Sequence, residues 1–223
     1  MWAGSRKTTV ICYRTSRLTH HKGREAKMKM RVKRDDCVLV VVDVQERLIG
    51  TIAEHEPLIQ NTKALIEAVL VLGLPILVTE QEKLGDIVPE LKPLLAEPSI
   101  RKLTFSCCDS AEFMTRLNAT RRKAVILCGI ETHICVMQTV LDLLAGHRRI
   151  LVVKDATSSH DLMDRETALR RMEASGAEIT TSEAIVYELT EKAGTDEFSK
   201  ILDIVKERRK RISTRMPSVS PMV

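Results

Sequence analysis

The run Cys37-Val38-Leu39-Val40-Val41-Val42-Asp43 decides the fold. Four of its residues are valines, whose β-branched side chains fit an extended pleated strand better than a helix. No polar residue alternates with them, so both faces of the strand must be covered, as in the interior of a parallel sheet. Working outward from this run, short strand-like segments recur at 75–80, 99–104, 124–129, 150–155 and 178–181. Between them, 58–72, 110–118, 132–145, 162–175 and 182–187 carry apolar residues at helical spacing, with Gly73, Gly146 and Gly176 placed as C-caps. A last helix over 196–208 is expected on the outside. The alternation predicts an α/β fold of three layers, a six-stranded parallel sheet with helices on both faces. The stretch 81–98, with Gly85, Pro89, Pro93 and Pro98, reads as a long connection after a strand, a position suited to a lid or pocket wall.

The 223 residues suffice for one such domain. Aromatic residues make up only 3% of the chain, so the core must be aliphatic. No run approaches the ~18 apolar residues that span a bilayer, which predicts no membrane partner.

The formal charge of +5 is unevenly distributed. Residues 1–34 hold 11 Lys/Arg and one acid, Glu25, so everything after them is net acidic. Lys206, Arg208, Arg209, Lys210, Arg211 and Arg215 form a second basic cluster near the C-terminus. We therefore expect a basic extension over 1–34, a domain over 35–206 and a basic tail over 207–223. An acidic domain disfavours a built-in nucleic-acid groove. The extension has no apolar signal core and loosely fits a mitochondrial presequence. A disordered arm, or a start at Met28 or Met30, fits it better, so the expected location is cytoplasmic, or mitochondrial if the extension is a presequence. Cys12, Cys37, Cys107, Cys108, Cys128 and Cys135 form no C-x-x-C pair, which suits a reducing compartment. Five of these six are expected to be small buried hydrophobes.

Three side chains stand where chemistry could occur. Asp43 closes the first strand and could face a crevice or simply cap the next segment. Cys135 lies about one turn into the helix after the strand 124–129, where the positive end of the helix dipole favours thiolate and free backbone N–H groups could hold an oxyanion. Taken alone, a buried core cysteine is the more common case there. Lys102, in the short third strand with Ile100, Leu103 and Phe105 close by, calls for an anionic partner, or else protects a sheet edge.

Taken together, several words of sequence resemble one family. They are Asp43-Val44-Gln45, Thr79-Glu80-Gln81, Lys102 with Phe105-Ser106, Gly129-Ile130-Glu131-Thr132-His133-Ile134-Cys135-Val136, Val153-Lys154-Asp155-Ala156 and Ser158-Ser159. Over roughly 36–205 the chain resembles the isochorismatase-like cysteine hydrolases, and Leu84-Gly85 with Val88-Pro89-Glu90-Leu91 resembles the isochorismatase domain-containing subgroup. The resemblance implies a Rossmann-like sheet of order 3-2-1-4-5-6 that brings Asp43 and Cys135 together at the switch point, with Lys102 arriving from the third strand. It implies Cys135 as nucleophile, Asp43 as proton carrier, Lys102 as the partner of that carboxylate, and a thioester intermediate. It also implies a cis peptide between Ile130 and Glu131 beside the oxyanion site, substrate contacts from Gln45, Leu48, Gln81 and Phe105, a small-molecule substrate and a homo-oligomer.

Departures from the family pattern narrow the chemistry. Where metal-binding nicotinamidases carry histidines after the second strand, this chain reads Glu80-Gln81-Glu82-Lys83, so neither metal nor other cofactor is expected. The only tryptophan is Trp2 and Leu48 stands where an aromatic often lies, which argues against nicotinamide. Isochorismate ether hydrolases lack the cysteine, so Cys135 points to amide or related acyl hydrolysis. His133 is expected to be structural and His160 to border the pocket. Two other readings compete: a catalytically weak scaffold binding nucleic acid or acidic partners through its basic tails, as ribonuclease-labelled relatives suggest, and a redox-reactive Cys135, with Cys107 and Cys108 nearby.

Overall fold

In the computed structural model, which describes residues 31–213, alternate residues of β1 (Cys37–Val42) serve two different cores. Cys37, Leu39 and Val41 pack on one face of the sheet, and Val38, Val40 and Val42 on the other. The first core is completed by α2 (His55–Val71), α6 (Ser182–Thr190) and α7 (Asp196–Ser213), through residues such as Leu65, Ile185 and Ile201. The second is completed by α3 (Ala111–Ala119), α4 (Met137–Ala145) and α5 (Leu162–Ala174), through Phe113, Leu117, Val140 and Met172. A strand buried on both faces gains roughly 1.5–3 kcal/mol for each fully buried Val or Leu, which is why this run anchors the fold.

The other strands are β2 (Ile76–Gln81), β3 (Ile100–Lys102), β4 (Ala124–Ile130), β5 (Arg149–Ser158) and β6 (Glu178–Thr180). All pairings are parallel, and the spatial order is β3-β2-β1-β4-β5-β6. The expected order is therefore present, and the direction of winding reverses between β1 and β4. At that seam Gly129 adopts φ +122, and a Cβ there would lie 2.1 Å from the Val42 carbonyl oxygen. Only glycine lets the ends of β1 and β4 approach so closely.

Several boundaries differ from expectation. The stretch 132–145 is a π-helical turn, Thr132–Val136, followed by α4, not one continuous α-helix. Gly73 and Gly176 have the left-handed φ of a C-cap, but Gly146 has φ −76 and His147 takes the positive φ of 61. The expected extension boundary at 34 falls inside packed structure: Val32 is a core residue, its N–H donates to Glu188, and Arg34 forks onto the Glu197 carboxylate. Likewise residue 207, the expected start of a tail, lies within α7. Arg208 reaches back from there to Asn61, Asp155 and Glu183. Both ends adhere because a charged side chain finds a fixed, partly buried partner on the domain. The presequence reading, Trp2, Cys12 and Arg215 lie outside the described residues.

The connection after β2 is held down rather than loose. Gln45 and Ile87 form an isolated antiparallel bridge, the Glu46 N–H donates to the Asp86 carbonyl, and the Val88 N–H donates to that of Val44. It contains a single 3-10 turn, Lys92–Leu94. This pins it against the short helix α1 (Glu46–Ile49), beside the end of β1. Among the described residues, no helix is long and apolar enough to cross a membrane.

Candidate active site

Asp43, the first residue after β1, is fully buried and sits at φ +52, a left-handed conformation unfavourable for a residue with a Cβ. Its surroundings fix it there. The Asp43 N–H donates to the Thr79 carbonyl at 3.2 Å, and the Thr79 hydroxyl donates to Asp43 Oδ1 at 2.7 Å. Lys102 Nζ donates to Asp43 Oδ2 at 2.7 Å, both side chains being essentially cut off from water. Lys102 reaches this point because β3 is short and its C-terminal residue faces the crevice, in register with Gln81 of β2.

The Cys135 thiol lies close enough to Asp43 and Lys102 for both charges to act on it, which brings all three expected side chains into one neighbourhood. The peptide between Ile130 and Glu131 is cis, immediately before the turn that carries Cys135. Burial, and then the Asp43 charge, push the Cys135 thiol up to about 12, against an opposing pull from Lys102. Burial and a neighbouring carboxylate thus act against the pull that a helix N-terminus exerts on a thiol. For Lys102, burial acts downward, but the Asp43 charge overrides it, and the ammonium is held above its ordinary range.

The residues expected to touch substrate behave differently. Gln45 is 1% exposed, and its amide clamps the neighbouring backbone: Nε2 donates to the carbonyls of Gln81 and Gly85, and Oε1 accepts from the Gln81 N–H. Gln81 donates from Nε2 to the Leu103 carbonyl and accepts from Lys102 Nζ at 2.8 Å. Both glutamines are thus engaged within the protein. Phe105 offers its carbonyl to Lys102 while the residue is 55% exposed, and Leu48 is half-buried against the core that Leu39 and Val41 enter. His133 Nδ1 lies 2.9 Å from the Ser159 hydroxyl, and the His160 N–H donates to the Glu131 carboxylate, beside the cis peptide. Among the described residues, no group of three His, Cys, Asp or Glu side chains is arranged to hold a metal ion.

The sequence misses two contributors. Thr79 secures Asp43 through both its carbonyl and its hydroxyl, and its position two residues before Gln81 in a strand places the two on one face, a signal that period-2 spacing contains. Cys107 is a second buried thiol: its Sγ lies 3.8 Å from Thr79 Oγ1, and burial followed by Asp43 raises it to about 11. Nothing in its local sequence separates it from an ordinary core cysteine.

A six-stranded α/β sheet with a thiol, a carboxylate and an ammonium at its switch point is the arrangement of one class of hydrolase. The isochorismatase domain matches residues 37–184, and the chain belongs to that family. Among curated relatives, the secreted isochorismatase effector Isc1 of Phytophthora sojae is 39% identical over 180 residues, 78% of this chain and 86% of its own length. The mouse isochorismatase domain-containing protein 2A is 34% identical over 181 residues, 79% and 86% of the respective chains. The solved structure of the MAR1 ribonuclease from Caenorhabditis elegans superposes with a TM-score of 0.72 at 36% identity, covering 87% of this chain and 98% of that one. The chain is thus an isochorismatase-family hydrolase.

Proposed function

We propose that this hydrolase cleaves a small amide or related acyl compound through Cys135, Asp43 and Lys102. The observation that carries the reading is the position of Asp43, which holds the Lys102 ammonium at 2.7 Å and whose charge bears on the Cys135 thiol. A thiol raised to about 12 does not ionise alone at neutral pH. Asp43 therefore accepts its proton as Sγ attacks the substrate carbonyl, and returns that proton to the departing amine. The resulting thioester is opened by water, with Asp43 again taking the proton. Lys102 keeps Asp43 oriented throughout, and the backbone N–H groups of Glu131 and Cys135 receive the oxyanion. Release of ammonia or amine from a panel of small amides tests this. Turnover that vanishes in Cys135→Ser and Asp43→Asn supports it; turnover that survives both substitutions contradicts it.

The same reading takes the protein as a homo-oligomer. Leu103 (69% exposed), Phe105, Leu162 and Met163 (76% exposed) present large apolar side chains after β3 and β5, at the end of the sheet that carries the site, and a second copy would cover them. Light scattering of the purified chain separates an assembly from a monomer.

A ribonuclease reading draws on the name of the nematode relative. The near-complete burial of Asp43, Lys102 and Cys135 suits a small molecule better than a polymer. An RNA-cleaving activity that Cys135→Ser abolishes would reverse this preference.

A further inference from the structure

Lys102 is the cation at the centre of the site, and all its donors are already occupied. Its three N–H groups face four acceptors: Asp43 Oδ2 at 2.7 Å, Gln81 Oε1 at 2.8 Å, and the carbonyls of Thr104 and Phe105 at 3.2 and 3.3 Å. Arg165, the other well-covered cation near these strand ends, is likewise engaged with the carbonyls of Thr157 and Lys154 and the carboxylate of Glu54. The charged group nearest the cis peptide is a carboxylate, Glu131.

Among the described residues, an anionic substrate entering this site would leave water and find both of these cations already engaged. A buried unpaired anion is strongly disfavoured, whereas a neutral carboxamide needs only hydrogen bonds. From this saturation we infer that the site selects substrates without a carboxylate or other negative charge beside the scissile bond, and that Gln81 sets the selection by occupying the Lys102 donor an anion would otherwise take. Gln81 is well held for this role. Gln45 grips its backbone N–H and carbonyl, and the Leu103 carbonyl takes its Nε2, so its Oε1 stays directed at Nζ. The inference rests on Cys135 being the nucleophile. It narrows the substrate class to small neutral amides, against the carboxylate-bearing compounds a family name built on isochorismate would suggest.

Iodoacetamide and iodoacetate are matched probes, nearly equal in size and differing in charge. Each reacts by displacement of iodide from its methylene carbon by Cys135 Sγ, forming a C–S bond as the C–I bond breaks and the thiol proton leaves. Labelling of the Cys135 peptide in the full chain is followed by mass spectrometry, and the rate ratio of amide to acid is compared with the same ratio for 2-mercaptoethanol. The expected ratio at Cys135 exceeds the reference by roughly tenfold or more, the effect of little over one pK unit of charge discrimination. Gln81→Leu, which leaves Nζ only the two longer carbonyl contacts beside Asp43 for an anion to displace, should bring the ratio back toward the reference, and Gln81→Glu should raise it. A native ratio at or below the reference overturns the charge selection and leaves the nucleophile standing. A high native ratio unmoved by Gln81→Leu overturns the assignment to Gln81. Labelling by neither reagent overturns the nucleophile itself, and the proposed function with it.

Discussion

Lys102 Nζ lies 2.7 Å from Asp43 Oδ2, in a position where neither side chain meets water. Breaking such a pair from one side leaves a charge buried alone. Lys102→Met is therefore expected to destabilise the fold by about 3–5 kcal/mol, and the double substitution Asp43→Asn with Lys102→Met to recover much of that loss. Urea unfolding of the single and double variants measures this. Additive losses would mean that the two groups do not depend on each other.

The buried thiols make stability sensitive to alkaline pH. Burial raises Cys37, Cys108 and Cys135 to about 12 and Cys107 to about 11, from an ordinary 9.0, and raises Cys128 further. Below pH 9 each thiol is protonated in both folded and unfolded chains and has no effect on the slope. Above pH 9 the unfolded chain ionises and the folded one does not. Each thiol then withdraws ~1.4 kcal/mol of stability per pH unit until its folded value is reached. Lys102, held above its ordinary range, acts with the same sign at higher pH. The urea midpoint should fall steeply between pH 9 and 11, and Cys37→Ala should make the fall shallower by one thiol. A midpoint flat to pH 11 would show that these groups are not buried as neutral thiols.

Arg208 separates the basic cluster into structural and solvated residues. Its guanidinium is 14% exposed and joins Asn61, Glu183 and Asp155, whose carboxylate in turn caps Ser182 at the start of α6. Arg208→Ala should cost about 2 kcal/mol, as loss of a charge-assisted network does, while Lys206→Ala, fully at the surface, should stay within about 0.5 kcal/mol. Thermal unfolding of the two variants distinguishes them, and equal losses would assign α7 no specific anchor.

The sequence makes the sheet legible because its signals are local. A valine-rich run such as 37–42 cannot be amphipathic, and apolar periods fix the type of the elements around it. The site is legible in part. Asp43, Lys102 and Cys135 each stand at or beside the carboxyl end of a different strand, and parallel topology brings such ends together. What the sequence does not reveal depends on partners far along the chain. The Gln45 amide looks like a substrate ligand until its bonds to residues 36 and 40 positions away are seen. Cys135 looks activated by its helix until the burial of that seam is known. Val32 and Arg208 look like parts of loose tails until Glu188 and Asp155 are found beneath them.

The interdependence of Asp43 and Cys135 is tested most directly by the pH dependence of Cys135 alkylation by iodoacetamide, in the native chain and in Asp43→Asn. With the carboxylate in place the thiol should titrate well above 9, so labelling near neutrality is slow and still rising at the alkaline end. Replacing Asp43 removes the negative charge that holds the proton on sulfur while Lys102 remains, so the profile should shift to lower pH and labelling at pH 8 should become several-fold faster, although hydrolysis is lost. Identical profiles in the two proteins would contradict the coupling of thiol and carboxylate, and with it the reading of these residues as one catalytic unit.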